Sequence, residues 1–530
     1  MRQPTLKSGS RSQALLAMLS GPTILPLLIF AWLAATAWVR PLSLPDEGRY
    51  VGVALEMLWS GDWLVPTLDT LPYFHKPPLF YWATAASLAT FGIHEWAARV
   101  PSLMAASGCA LGIFYFLRRW TDDAQAGIAL LALATTPLFY GGAQFANLDM
   151  LVTACIAGTI LCAAHAVLAT DDASPQRAAL AAAYIFAALG VLAKGLIGVV
   201  IPAIVIGAWL AITARPRMIL RLVWLPGLVL SGLIAAPWFL LMQMRYPGFF
   251  HYFFVHHHFE RYAAQGFNNA RPFWFIVAAF AGATLPWCLS LAGTARTTAA
   301  AMACGPSKNV RALMWTWLIA TLVFFSIPKS KLIGYVMVAA PPLAVLAADA
   351  ITRVAGEAGR ARVWATRLAV LGVLIGAVMM VYVMRHDHSR DNTSELAAGL
   401  QSLKSSPADA VVAMSHYPFS LAFYLGHSQP IRVVEDWGQS WVTQKDTWRR
   451  ELFEAAEFAP DRGKRLLLTP DAMRLLLACS PRTVWLITSG LNAPTIPQLA
   501  GLERVAQVGN EIVWRKTPSS AAAPHPDCFP

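Results

Sequence analysis

The chain has 530 residues, 57% of them hydrophobic and only 13% charged, with a mean hydropathy of +0.51. So little charge cannot cover a water-facing surface of this size, which excludes a soluble enzyme and points to a chain that crosses a bilayer repeatedly. The formal charge of +12 falls mostly between apolar runs, where it sets orientation, so no nucleic-acid partner is inferred from it.

In chain order, apolar windows of about 20 residues fall near 21–39, 97–117, 124–142, 147–168, 177–193, 196–213, 221–242, 273–292, 312–327, 333–350 and 367–384. The expected fold class is therefore a polytopic α-helical membrane protein of about 11 to 13 spans. The first window is too long for a removable signal peptide and lacks a small-residue cleavage site. With the N-terminus inside, Arg118 and Arg119, Arg177, the group Arg215 to Arg221, Arg296 to Arg311, and Arg353 to Arg367 all fall on the cytoplasmic side. The loops 40–96, 243–272 and 328–332, and the chain after about 385, then face the periplasm.

This gives two expected domains. Residues 1–384 form the membrane domain, with periplasmic loops 40–96 and 243–272. Residues 385–530 form a small periplasmic α/β domain, because strand-like runs (DAVVAM, QPIRVVE, KRLLLT, TVWLIT, NEIVWRK) interleave there with helical patterns. The tail TPSSAAAPHPDCFP is expected to be disordered.

The outward segments carry the candidate chemistry. PDEGRY, directly after the first apolar window, supplies Asp46, Glu47 and Arg49, and the same loop ends in Tyr73, His75 and Lys76 before Pro77 and Pro78. The acid pair has two readings: a cap on the helix that follows, or a carboxylate acting on a substrate at the membrane surface. Asp149 stands at the outer edge of a window, where a charge costs up to about 2.5–3.5 kcal/mol if it reaches mid-membrane, so it needs a partner or a task. Lys194 is the lone charge of its run and either snorkels to headgroups or serves the same face.

The loop MRYPGFFHYFFVHHHFERYAAQGFNNARPFWF holds His256, His257, His258, Glu260 and Arg261. On a helix His257 and Arg261 share a face and His258 points elsewhere, so at most two histidines serve one site. A histidine here and one on another loop make either a divalent-metal pair or an ordinary hydrogen-bonded cluster. Lys329, Lys331 and Tyr335 complete the set. Cations in excess on the side where few are expected suit a phosphate, held by arginine through paired hydrogen bonds and by lysine as a point charge. A lipid-linked phosphate fits a site between interfacial helices and the membrane. No phosphate-binding or dinucleotide glycine fingerprint occurs, so no nucleotide cofactor is expected and the energy for reaction must arrive in the substrate. The seven cysteines lack ligand spacing and are read as packing residues; Cys479 and Cys528 are the pair an oxidising periplasm would join.

On these segments the chain resembles the 4-amino-4-deoxy-L-arabinose lipid A transferases of the GT-C superfamily of polyprenyl-phosphate-dependent glycosyltransferases. The likeness runs through PDEGRYVGVALEMLWSGDWLVPTLDTLPYFHKPPLFYW, GIHEWAARVPSLMAA, ANLDM, AKGLIG, VHHHFERY with RPFWF, and KSKLIGYVMVAAPPLAVL, in the same order over about 40–350. It implies undecaprenyl phosphate carrying the amino sugar as donor and a lipid A phosphate as acceptor, in a monomeric inner-membrane enzyme. It also implies Asp46 as the essential acid, Asp149 as the second and Arg49 beside them. Lys76, Lys194, Arg261, Tyr335 and Tyr73 fall to the carrier phosphate. The family's YFEKPP is YFHKPP here, so the acid that joins a later histidine on a metal is replaced by His75, with His256 as the matching histidine; two histidines still suffice for zinc. Two other readings stay open: a transferase of another lipid-linked sugar to lipid A, a glycan or protein, and a non-catalytic flippase or binding protein for such lipids.

Overall fold

The structure is a computed structural model and describes residues 24–170, 174–260, 269–292, 306–390, 393–403, 408–428, 430–444, 446–489, 499 and 501–518. Arg261, Arg296, Cys528 and all but the first two residues of the expected disordered tail lie outside the described residues.

Among the described residues seven helices are long and apolar enough to cross a bilayer: Glu95–Trp120, Leu148–Leu168, Arg177–Lys194, Leu225–Arg245, Lys308–Ser326, Ile333–Ala355 and Ala358–Arg385. The pair Asp123–Thr135 and Pro137–Ala143 makes an eighth if read as one span bent by 66°. Proline explains the bend: Pro137 has no amide hydrogen to continue the helix, and it holds Thr136 extended at φ −69°, ψ 122°. The other expected windows are helical but short, as Ile24–Ala34, Ile197–Ile212 and Phe275–Ala283. The last of these stops ahead of Pro286, after which a 3-10 turn covers Trp287–Ser290. The difference from the expected count is one of helix length, not of helix position. Only 11% of the apolar window in Ala358–Arg385 is buried within the protein, and Leu371, Leu374, Val378 and Tyr382 stand exposed, the surface expected of a multi-pass membrane protein in contact with lipid.

Six strands form one mixed sheet after the last long helix: β3 (Ala410–Met414), β4 (Ile431–Val434), β5 (Leu467–Leu468), β6 (Val484–Ser489), β7 (Glu503–Val508) and β8 (Glu511–Lys516), in the order β5-β4-β3-β6-β8-β7. The first four run parallel, and β8 and β7 close the sheet antiparallel. The central strands are buried along nearly their whole length, β3 as AVVAM and β6 as VWLITS, because both faces are covered. Cys479 is disulfide-bonded, while Cys109 and Cys155 are free and buried in the membrane helices.

The sheet is not packed as an isolated unit. Val411, Phe419, Leu421, Leu452 and Trp485 share one hydrophobic core with Tyr50, Val51, Leu55, Phe80 and Tyr81 of the first loop. Two polar contacts fix the orientation: the Leu42 amide donates to Tyr424 Oη at 2.9 Å, and the Ile431 amide donates to Asp69 Oδ1 at 2.8 Å. The first loop is thus a layer clamped between membrane helices and sheet.

Candidate active site

The helix Asp46–Ser60 begins at the acid pair, and its two carboxylates part company at once. Glu47 is wholly buried. It accepts hydrogen bonds from Arg99 Nε at 2.9 Å, the Ser43 amide at 2.8 Å and the Ala146 amide at 2.7 Å, and pairs with Arg40. Burial opposes its ionisation, but Arg99 and Arg40 outweigh it and hold the carboxyl down at about 2. Glu47 therefore ties the first loop to the membrane helices and is not available to a substrate. Asp46 makes no cap either, since the N-cap residue is Pro45 and no side chain bonds the first amides. Its carboxylate is 44% exposed and lies 3.8 Å from Arg49 Nη2. The surrounding protein pushes its pKa up, Asp149 adds to this, and Arg49, Lys194 and Lys76 pull it back. Asp46 thus sits in the combined field of one acid and three bases.

Downstream of this helix a tight hairpin of β1 (Thr67–Leu68) and β2 (Leu71–Pro72) sets the direction of the chain. Its two turn residues, Asp69 (φ 53°) and Thr70 (φ 61°), are both left-handed, a geometry that normally calls for Asn-Gly. Glu56 offsets that cost: it accepts from the Asp69 amide at 2.6 Å, the Thr70 amide at 2.9 Å and the Thr67 hydroxyl at 2.7 Å. The hairpin delivers Tyr73, His75 and Lys76 to the site, and Pro78 then starts the helix Leu79–Phe91. The Tyr73 ring stacks on His75 at 4.6 Å.

From the membrane helices, Asn147 caps Leu148–Leu168 by accepting from the Asp149 amide, which fixes Asp149 in the first turn. Lys194 in the last turn of Arg177–Lys194 ion-pairs with it, and the ammonium also lies 5.0 Å over the Tyr335 ring. Gly334 makes this fit possible, since a Cβ there would collide with Asp149 Oδ2. Lys331 is spent on structure: its buried ammonium donates to the Arg271 carbonyl at 3.0 Å and to that of Pro328.

The helix Trp448–Glu457 of the sheet domain enters this site, which the sequence did not foretell. Glu451 reaches Arg49 Nη1 at 2.9 Å, and Glu454 three residues later faces His75 and His257. The only signal in the sequence is the spacing of two acids on one helix face within WRRELFEAAE.

The histidine pair is also not the expected one. His251–Glu260 is a π-helix, and it turns His257, not His256, toward His75, with ring centroids 4.4 Å apart. His256 Nε2 instead accepts from Arg450 Nη2 at 2.6 Å. His75 Nε2 and both nitrogens of His257 are buried without a hydrogen-bond partner. Burial pushes His75 down to about 4 and His257 further below the usual range, so both imidazoles are neutral, the form that binds metal. Orphaned neutral imidazoles beside a carboxylate fit a divalent ion.

Comparison with known proteins agrees with this architecture. Residues 75–240 match the family model described as dolichyl-phosphate-mannose-protein mannosyltransferase. A protein of Aeromonas salmonicida named undecaprenyl phosphate-alpha-4-amino-4-deoxy-L-arabinose arabinosyl transferase is 31% identical over 373 residues, covering 69% of this chain and 66% of its own. A Pseudomonas fluorescens protein with the same name, numbered 2, is 30% identical over 370 residues, covering 68% and 61%. The chain thus spans slightly under two thirds of the length of these relatives. Among solved structures, ArnT from Cupriavidus metallidurans bound to undecaprenyl phosphate superposes with a TM-score of 0.76 at 24% identity, over 98% of this chain and 100% of that one. The archaeal oligosaccharyltransferase AglB of Archaeoglobus fulgidus gives 0.52 at 13% identity, over 89% and 69%.

Proposed function

Since the chain belongs to the family of aminoarabinose transferases within the GT-C superfamily, we propose that it moves 4-amino-4-deoxy-L-arabinose from undecaprenyl phosphate to a lipid A phosphate at the periplasmic face of the inner membrane. The observation that carries this reading is the field around Asp46, where Asp149, Arg49, Lys76 and Lys194 converge from four separate elements.

A lipid A phosphate oxygen is anionic at neutral pH and needs no base to attack. Its oxygen forms a bond to the anomeric carbon while the bond from that carbon to the carrier phosphate breaks, and the electron pair leaves on the phosphate oxygen. No net proton moves, and attack opposite the leaving group inverts the anomeric centre. Positive charge on the sugar peaks in the transition state. Asp46, half exposed and hydrogen-bond-poor, faces it, while Lys76 and Lys194 stabilise the charge gathering on the departing phosphate. Arg49 is held by Glu451 on one side and stands off Asp46 on the other, so it sets the position of that carboxylate. Asp149, closed by Lys194 and Tyr335, keeps the lysine aimed at the site. His75 and His257 would hold a divalent metal, which would supply further positive charge beside Lys76.

The match of residues 75–240 to a mannosyltransferase model favours one second reading, transfer of a hexose from a similar carrier. Mass spectrometry of lipid A from cells with and without the gene separates the two: a pentosamine mass increment that depends on the gene supports the first reading, a hexose increment supports the second, and no change rejects both.

A further inference from the structure

We propose that Glu454 is itself a metal ligand, closing with His75 and His257 a three-ligand site for a divalent ion of the zinc class that fastens the sheet domain to two loops of the membrane domain. The site stands independently of which sugar is transferred.

Three unconnected elements meet here: the segment after the β1–β2 hairpin, the π-helix His251–Glu260 and the helix Trp448–Glu457. The ligand atoms of all three residues lie within 4.8 Å of one another. Glu454 Oε2 is 3.7 Å from His75 Nε2 and 3.6 Å from His257 Nε2. These separations are too long for hydrogen bonds but close to the ligand spacing of about 3.3 Å implied by a tetrahedral ion with bonds of about 2.0–2.1 Å. Both imidazoles otherwise bury nitrogens with no partner, and an ion held by His75 Nε2 and His257 Nε2 would meet that need at those two atoms.

The carboxylate is prepared for the task. Tyr252 Oη donates to Oε2 at 2.8 Å, and Arg450 Nε donates to Oε1 at 2.6 Å. Oε2 thus accepts from Tyr252 while it also faces the two imidazoles, the outer support that metal-bound carboxylates commonly receive. His256 Nε2 lies 3.5 Å from Glu454 Oε1, but that nitrogen already accepts from Arg450 Nη2, which leaves it out of the set. Where the family resemblance expects an acid in the loop, this chain has His75, and Glu454 restores a carboxylate from the opposite side. Three protein ligands leave a fourth position open, as in reactive rather than purely structural zinc sites.

The full-length protein in nanodiscs, stripped with a chelator and titrated with zinc, tests this by metal analysis and by thermal unfolding. One zinc per chain and a raised unfolding temperature are expected. Glu454→Gln and His257→Ala should each weaken zinc at least about tenfold and remove the thermal shift, whereas His256→Ala should keep both and Glu454→His should retain binding. Wild-type zinc affinity in Glu454→Gln, loss of zinc in His256→Ala, or no stoichiometric zinc in the wild type would each overturn the assignment. Should Glu454→Gln fail to fold, a folded Glu454→His decides: zinc retained sustains the proposal, zinc absent overturns it.

Discussion

Asp46 and Glu47 are neighbours in sequence and opposites in structure. Glu47 is sealed among two arginines and two backbone amides, while Asp46 stays half exposed with its nearest cation at 3.8 Å. A charge whose every lone pair is met has been placed to hold the fold together. A charge placed in a strong field without close partners is free to act on something that arrives. Lys331, whose ammonium is used up on backbone carbonyls, belongs with Glu47 in the first group.

Breaking the sealed cluster should have the largest effect. Glu47→Ala strands Arg40 and Arg99 in the interior and should cost about 3–5 kcal/mol of stability, read as a loss of folded protein in detergent unfolding. Because its folded carboxyl lies at about 2 and its unfolded value at 4.5, Glu47 contributes stability present above that unfolded value and lost as the pH falls through about 2. Acid unfolding of the wild type should show this dependence, and Glu47→Gln should lack it.

In the open cluster the damage should fall on turnover instead. Lys76→Ala should lower transfer by roughly 100- to 1,000-fold, equivalent to about 2.7–4 kcal/mol, with the unfolding temperature little changed. Undiminished transfer would remove Lys76 from the site. Glu451→Gln probes the link between the two domains: Arg49 loses its anchor, and a roughly 10- to 100-fold fall in kcat is expected from the displaced charge. An unchanged kcat would confine the helix Trp448–Glu457 to packing. The smallest effect is on pH. Desolvation by the surrounding protein raises the Asp46 carboxyl above its ordinary 3.8, and transfer requires it ionised, so the rate should fall with acidification at a pH above that value.

Much of this was legible in the sequence because it is local. Apolar windows name the helices, and five of the six strands of the large sheet show as short β-branched or aliphatic runs. β7, a half-polar edge strand, carries no such signal. Asp149 and Lys194 stand out because a charge in an apolar run must be explained, and they meet each other. What stayed hidden is set by contacts across long stretches of chain. Tyr252 and Glu454 are 202 residues apart, and nothing in WRRELFEAAE names its partners. The choice between His256 and His257 turns on a π-helical register, which an α-helical period misplaces by its wider turn. Glu47 and Asp46 differ in role through burial alone, which adjacency cannot reveal.

The central claim is that the Asp46 charge acts on the reacting sugar and does not merely begin a helix. Asp46→Asn keeps the size and shape of the side chain and removes its charge, with one acceptor oxygen replaced by an NH2 donor. Purified wild type and variant, given undecaprenyl-phosphate-linked aminoarabinose and lipid A, should therefore differ in one respect: equal folding and insertion, with turnover in the variant at or near background. Near-normal turnover by Asp46→Asn would contradict the account.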